Sequence, residues 1–285
     1  YNTAYFTSGY TDAAARAYAS SRLSGTLGAN YNPFKNYSWD NLVDPATGKV
    51  RADAKSAWDE SWIDNVTEDA AFRQEYQASV SGGNNVHRGS MSLSYLDEDG
   101  VLKTTNFQRY TGRVSYDTTP KHWFKGGMNA NFAHSESSYQ SFEDASTSNV
   151  WYTAQFMAPV YPVYLKDMAG NNVRDADGRL QYEYGSEDDN GYANRPSAQG
   201  FNSKAELYNN KAYYTRNSLS ARSYITFGTV REEARLYGLK LTMNFGTDYT
   251  DYQRTLVYDK EHGNAAQQGG RLSKNNTRTL SYTFN

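Results

Sequence analysis

From residue 72 onward, apolar and polar side chains alternate almost one for one. Phe72, Tyr76, Ala78 and Val80 alternate with Arg73, Glu75, Gln77 and Ser79 until Gly82-Gly83-Asn84 stops the run. A period of two sends successive side chains to opposite faces of a β-strand. The same pattern returns in Ser90 to Leu96, which ends at the turn signal Asp97-Glu98-Asp99-Gly100. It returns again in Phe107 to Tyr116, where Tyr110, Gly112, Val114 and Tyr116 oppose Arg109, Thr111, Arg113 and Ser115. After Thr118 to His122, Phe124, Met128, Ala130 and Phe132 oppose Lys125, Gly127, Asn129 and Asn131. A weaker strand is predicted over Leu219 to Val230. The clearest follows, with Tyr237, Leu239, Leu241, Met243, Phe245 and Tyr249 on one face. The last is Thr277 to Phe284, with Arg278, Leu280, Tyr282 and Phe284 on one face.

Before residue 72 the pattern is mixed. Thr11 to Ala19 and Ala57 to Ala71 are helix candidates, separated by turn chemistry at Asn32-Pro33 and Asp44-Pro45-Ala46-Thr47-Gly48. The connections further on alternate in length. About 118–122 and 231–236 are short, about 97–105 is moderate, and about 137–217 and 253–270 are long. Short turns on one rim and long loops on the other are the habit of outer-membrane barrels, with the short turns on the periplasmic side. On that count the strand from Phe72 runs the wrong way to open a barrel, so it reads as the last strand of a plug. Within the longest loop, Tyr164-Leu165 with Asp167 to Asn171, and Arg174 to Leu180 around Asp177-Gly178, read as a small hairpin.

Composition sharpens this picture. The chain has 26 Tyr and 15% aromatic residues, yet its mean hydropathy is strongly polar. Disordered chains are also polar but poor in aromatics. A transmembrane antiparallel barrel with a wet lumen fits both facts, because only every second side chain meets lipid and aromatic girdles mark the interfaces. No apolar run approaches the roughly 18 residues of a membrane helix. Tyr1 begins no signal peptide, so a processed or truncated start is expected. A net charge of −2 at pH 7 offers no basic stripe for nucleic acid. With no Cys, a disulfide scaffold, a Cys-type zinc site and a thiol nucleophile are excluded.

Candidate chemistry is sparse, and the chain does not read as an enzyme. His87, His122, His134 and His262 show no metal-ligand spacing. No GxSxG, Walker loop or helix-opening GxGxxG occurs. A hydrolase built on two distant carboxylates stays formally open. No cofactor is called for. Asp175-Ala176-Asp177-Gly178 opens like a calcium loop but lacks its closing Glu, so a hairpin turn is the better reading. Glu187-Asp188-Asp189-Asn190 reads as a solvated loop tip, and calcium in an external loop stays open. If Tyr110, Val114 and Tyr116 face lipid, then Arg109, Arg113, Asn129 and Asn131 face the lumen, to touch the plug or a substrate. The reverse would place Arg in mid-bilayer at a cost of roughly 2–4 kcal/mol. The long loop offers Trp151, Tyr152, Tyr161, Tyr164, Tyr182 and Tyr184, with Phe156, as rings that stack on sugars or fill a protein interface.

Several segments together carry a resemblance. They are Trp62…Gln74-Glu75-Tyr76…Ser79-Val80-Ser81-Gly82-Gly83-Asn84, Ser94 to Val101, and Phe107-Gln108-Arg109-Tyr110-Thr111-Gly112-Arg113-Val114-Ser115-Tyr116-Asp117. Ala158-Pro159-Val160-Tyr161-Pro162-Val163-Tyr164 and Gly238-Leu239-Lys240-Leu241…Phe245-Gly246-Thr247-Asp248-Tyr249 complete the set. In this order over about 190 residues they resemble the plug-to-barrel junction and first barrel strands of SusC/RagA-like TonB-dependent outer-membrane transporters. Residues 1–60 resemble the family less, chiefly at Tyr1-Asn2-Thr3-Ala4. The resemblance implies an all-β plugged barrel of about twenty-two strands, of which about six are here. Residues 1–83 would be the end of the plug and its linker, and 84–285 the first part of the barrel. Phe284 followed by Asn285 favours an internal break. It further implies import of oligosaccharides or peptides, a SusD-like lipoprotein over the external mouth, and TonB acting through a segment absent here. The setting would be a lipid bilayer, the outer membrane of a Gram-negative, Bacteroidetes-type cell. The competing readings are a passive outer-membrane porin and a soluble all-β carbohydrate-binding module.

Overall fold

The computed structural model describes residues 34–44, 46–47, 49–139, 149–167, 170–185, 195, 198–228 and 238–285. The helix candidate Thr11 to Ala19, the segment Tyr1 to Ala4 and the acidic stretch Glu187 to Asn190 lie outside the described residues. The chain divides into two compact units. One takes the described residues of Tyr1–Thr67, Ser141–Asn210 and Tyr258–Arg271. The other is Glu68–Gln140, Lys211–Val257 and Leu272–Asn285.

The second unit is built on a seven-stranded sheet whose strands follow one another in chain order. They are β3 (Arg73–Gly83), β4 (His87–Asp99), β5 (Asn106–Lys121), β6 (Phe124–Tyr139), β7 (Lys211–Gly228), β8 (Lys240–Tyr258) and β9 (Arg271–Phe284). Every pair with a recorded register is antiparallel, and Asn244 and Asn285 exchange backbone bonds of 2.8 and 3.1 Å between β8 and β9. The strands are longer than alternation alone predicts. β7 starts at Lys211 rather than near Leu219, and β8 runs on to Tyr258. Backbone pairing continues where the alternation breaks because the ladder is made by main-chain groups, whatever the side chain.

β3 falls on the residues read as the last strand of a plug. Arg73 to Gly83 pairs along its whole length with β4, from Arg73–Glu98 to Gly83–Arg88. Among the described residues the seven-stranded sheet therefore starts at Arg73. Loop lengths report which rim a connection lies on and carry no information about which neighbour a strand pairs with. The tight turn at 84–86 holds the two strands together, with Asn84 Oδ1 accepting from the backbone N–H of Val86 and His87, each at 2.8 Å.

The first unit has short elements. α1 (Trp39–Leu42) leads into β1 (Val43–Asp44), which pairs with β2 (Lys49–Val50) over a small core of Leu42 and Val43 packed by Phe34, Tyr37, Val50 and Ala54. The helix expected over 57–71 shrinks to α2 (Trp62–Val66). Ser61 caps its start, and Thr67 turns its hydroxyl back onto the Ile63 carbonyl at 2.9 Å to end it. α3 (Val150–Phe156) is capped by Asn149, and α4 (Ser203–Asn209) by Asn202. Between them a narrow meander forms through the bridges Tyr164–Tyr182, Lys166–Asn172 and Arg174–Leu180. Asp175 Oδ1 accepts from the backbone N–H of Asp177 (2.9 Å) and Arg179 (2.8 Å), so this acidic motif is a hairpin turn.

Candidate functional site

The sheet has two chemically distinct faces, because residues in register share a face. One row runs Val80, Met91, Val114, Ala130, Ala221, Thr247. The next on that face runs Ala78, Leu93, Gly112, Phe132, Leu219, Tyr249. Val80 is 68% exposed and Leu241 57%, with Leu93, Phe132, Leu219, Phe245 and Tyr282 exposed beside them. A continuous apolar surface of this kind is what lipid or a partner covers. It is bounded at one end by Trp123, Phe124 and Phe227 (Phe124–Phe227 centroids 5.3 Å). At the other end stand Tyr76, Tyr95 and Tyr110 (Tyr95–Tyr110 4.8 Å), beyond which the same face turns to Gln74, Asp97, Gln108 and Glu136. From Leu219 to Phe227 the strand covers roughly 26 Å. A tilt of about 40° lowers that to about 20 Å, near the roughly 25 Å apolar band of outer-membrane barrels.

The opposite face is polar, and it brings together all four residues predicted for it. Arg113 lies opposite Asn131, Ser115 opposite Asn129, and Arg109 opposite Ser135. Ser79, Ser81, Ser90 and Ser92 extend the same rows, and a hollow is lined by these serines with Arg113, Asn129 and Asn131. Sequence reading missed Arg88, Arg216 and Arg222, which share this face. Arg88 and Arg216 fell outside the recognised alternation, and the weak apolar signal around Arg222 hid its partner Asp248 at 2.6 Å. Glycines let long side chains lie flat here. A Cβ on Gly127 would sit 2.5 Å from the Tyr224 ring, which crosses Gly127 so that Tyr224 Oη donates to Asp117 Oδ1 at 2.5 Å. Arg222 crosses Gly246 in the same way.

The predicted aromatic residues of the long loop separate into two groups. Trp151 and Tyr152 on α3 stay exposed, at 42% and 44%, and Phe156 packs on Tyr152 with centroids 4.5 Å apart. Tyr161 and Tyr184 are buried, while Tyr164 and Tyr182 stack at 5.5 Å, half-buried. The interior around them is held by polar anchors that no periodicity signals. Arg195, fully buried, donates to Glu183 (2.6 Å) and to the carbonyls of Ala198 and Phe201 (2.6 and 2.7 Å). Asn202 reaches the carbonyls of Val163 and Glu183 while capping α4. Trp58 and Trp62 donate to the carbonyls of Val160 and Tyr161, and Lys204 reaches Asn65 at 2.8 Å.

Beside this hub, His262 stacks on Tyr184 at 3.5 Å, and Glu206 accepts from the Asn210 side chain. Burial, with the Asp259 carboxylate nearby, pushes the Glu206 carboxyl up to about 8. Burial pushes the Tyr182 phenol up to about 12, and burial with Asp259 and Glu206 holds that of Tyr184 higher still. Among the described residues no group of three or more His, Asp or Glu side chains is placed to hold a metal ion.

No family model matches the chain. It is similar to the TonB-dependent receptor SusC of Bacteroides thetaiotaomicron, 26% identical over 140 residues, a match covering 48% of this chain and 12% of that protein. Among solved structures it is similar to the RagAB peptide transporter, with a TM-score of 0.53 and 18% identity over 79% of this chain and 23% of that one. The RagAB peptide importer in its "closed-closed" and "open-open" states gives TM-scores of 0.55, at 17% and 18% identity over 79% of this chain and 23% and 22% of those chains. The matches thus span less than a quarter of the length of these relatives. At such identity the structural likeness is one of fold: an antiparallel sheet that is part of a barrel and does not close here.

Proposed function

We propose, on the premise that this chain is SusC/RagA-like, that its parent protein is an outer-membrane transporter importing an oligosaccharide or peptide nutrient. The observation that carries the reading is the two-faced meander. An exposed apolar band between aromatic belts backs onto a polar face of Ser, Asn and Arg. Such a surface suits a wall with lipid on one side and water on the other. A soluble sandwich would instead bury its apolar face against a second sheet.

Within this reading, Arg109, Arg113, Asn129 and Asn131 line the lumen, where they meet the plug or a solute. Trp151 and Tyr152 are the loop residues best presented to a substrate or to a SusD-like surface lipoprotein. Tyr161 and Tyr184 act by shaping the loop from inside. Import energy would come from TonB, and the setting is the outer membrane of a Gram-negative, Bacteroidetes-type cell. The relatives' peptide cargo supports peptide as one substrate class, and the sequence resemblance supports oligosaccharide as the other.

The test is membrane fractionation of the full-length parent, followed by affinity capture in mild detergent. Recovery in the outer membrane with a surface lipoprotein is the expected result. A parent that stays soluble and captures nothing overturns the reading.

A further inference from the structure

The charge on the polar face of the sheet is lopsided once its internal pairs are set aside. The carboxylates on the strands of that face are Glu75, Glu98, Asp117 and Asp248. Each is engaged. Glu75 and Glu98 share Arg73 at 2.7 and 3.2 Å, Asp248 holds Arg222 at 2.6 Å, and Asp117 accepts from Tyr224. Lys125 lies over the Tyr224 ring at 5.5 Å. Arg254 shares the face and lies over the Tyr214 ring at 5.9 Å. Of the remaining cations, Lys240 stands at the end of β8, and Arg88, Arg109, Arg113 and Arg216 are spread over β4, β5 and β7, all exposed, with no carboxylate in ion-pair reach among the described residues.

Their placement is regular. On β5, Arg113 lies between Arg109 and Asp117, four residues from each, and Arg88 pairs with Asp117. Four residues of strand are about 13 Å. Arg109 and Arg216 share a row with Ser135 between them, about 10 Å apart. The free guanidinium groups thus recur at intervals along the strand direction, with Ser and Asn between them as hydrogen-bonding partners. Guanidinium binds carboxylate through paired, charge-assisted bonds that an ammonium or an amide cannot match.

We propose that this face is a track for a carboxylate-bearing solute, so that the transported substrate is anionic: a uronate-containing oligosaccharide or an acidic peptide. The inference rests on the transport reading and deepens it. A solute moving along the strands passes from one arginine to the next, each site weak enough to release it. A neutral glycan or peptide gains the Ser and Asn contacts but none of the arginine ones. A single fixed carboxylate of a plug would occupy one arginine and leave the rest of the series unexplained.

The experiment is a binding titration on the full-length parent in mild detergent with two matched pairs of probes. Tetragalacturonate is compared with its full methyl ester, and tetraglutamate with tetraglutamine. The carboxylated member of one pair is expected to bind at least about tenfold tighter than its neutral partner, and which pair responds identifies the source. That advantage is expected to shrink with added salt and to vanish in the Arg113→Gln, Arg216→Gln double variant, whose heat-modifiable barrel band on gels verifies folding. Equal binding within both pairs, an advantage that the double variant keeps, or no binding by any probe overturns the inference. Outer-membrane recovery and lipoprotein capture are read separately. A parent that passes those tests and fails this one loses only the anionic track.

Discussion

At the residue scale the sheet is tuned by glycines that leave room for a neighbour. Gly127 is overlaid by the Tyr224 ring on its way to Asp117. Replacing it with Val forces the ring off its path and breaks that bond. Gly127→Val is expected to destabilise the protein by about 1–3 kcal/mol. Gly82, with nothing within 4 Å of an added Cβ, should accept Ala with a change within about 0.5 kcal/mol. Thermal unfolding midpoints of the two variants in one detergent make the comparison, and equal shifts would sink the overlay argument. Glu206 gives a second residue-scale prediction. Its carboxyl sits at about 8 in the fold against about 4.3 in an unfolded chain, so folding favours the neutral form. Its contribution is fully present below about pH 4.3 and is lost as pH rises through about 8. Hydrogen exchange over Ser203–Asn209 should therefore quicken, beyond the intrinsic pH effect, between pH 5 and 9. Glu206→Gln should flatten that trend. Neither feature was legible in the sequence: alternation places Gly127 on the polar face without revealing the ring above it, and nothing in the pattern singles out Glu206.

At the scale of the element, alternation did identify the strands and their faces. Tyr110, Val114 and Tyr116 lie opposite in sense to Arg109 and Arg113, as the period of two required. Strand ends were less legible, because the ladders run on through Thr215, Arg216 and Gln253, where the alternation of apolar and polar side chains breaks, to Lys211 and Tyr258. β3 was legible as a strand but not as a member of the sheet, since pairing is a long-range fact. The face assignment predicts a sharp asymmetry between adjacent residues. Val114→Arg should cost about 2–4 kcal/mol, while Ser115→Arg, one step along β5, should be nearly neutral. The yield of heat-modifiable barrel in outer-membrane extracts reads both, and equal losses would mean the faces are reversed or irrelevant.

At the scale of the whole molecule, this stretch of chain contributes no cysteine of its own, so single cysteines placed in it test the proposed membrane setting in a parent cleared of any others. Single cysteines at Val114, Phe132 and Phe245 should be quenched by lipid-soluble agents and shielded from water-soluble maleimides. Those at Ser115, Asn131 and Asn244 should show the converse. A parent in which all six react alike with aqueous reagent would contradict a lipid-facing band. The loop unit was the least legible part. Its aromatics were visible, but their division into exposed Trp151 and Tyr152 and buried Tyr161 and Tyr184 depends on anchors such as Arg195 and Asn202. Their partners lie on other turns of the loop.

Those anchors have an evolutionary corollary. The segments 149–210 and 258–271 are joined by the bonds of Asn209 and Asn210 to Asp259 and of Gly263 to Gly200, and the first leans on Trp58 and Trp62. Yet Tyr139 and Ala212, which bracket the longer one, are direct cross-strand partners. Closure of that insert is therefore set by the β6–β7 ladder, whereas its internal fold depends on the second insert and on the tryptophans. A chimera carrying one foreign loop should misfold at the surface while its wall stays intact, and one carrying all three segments should not.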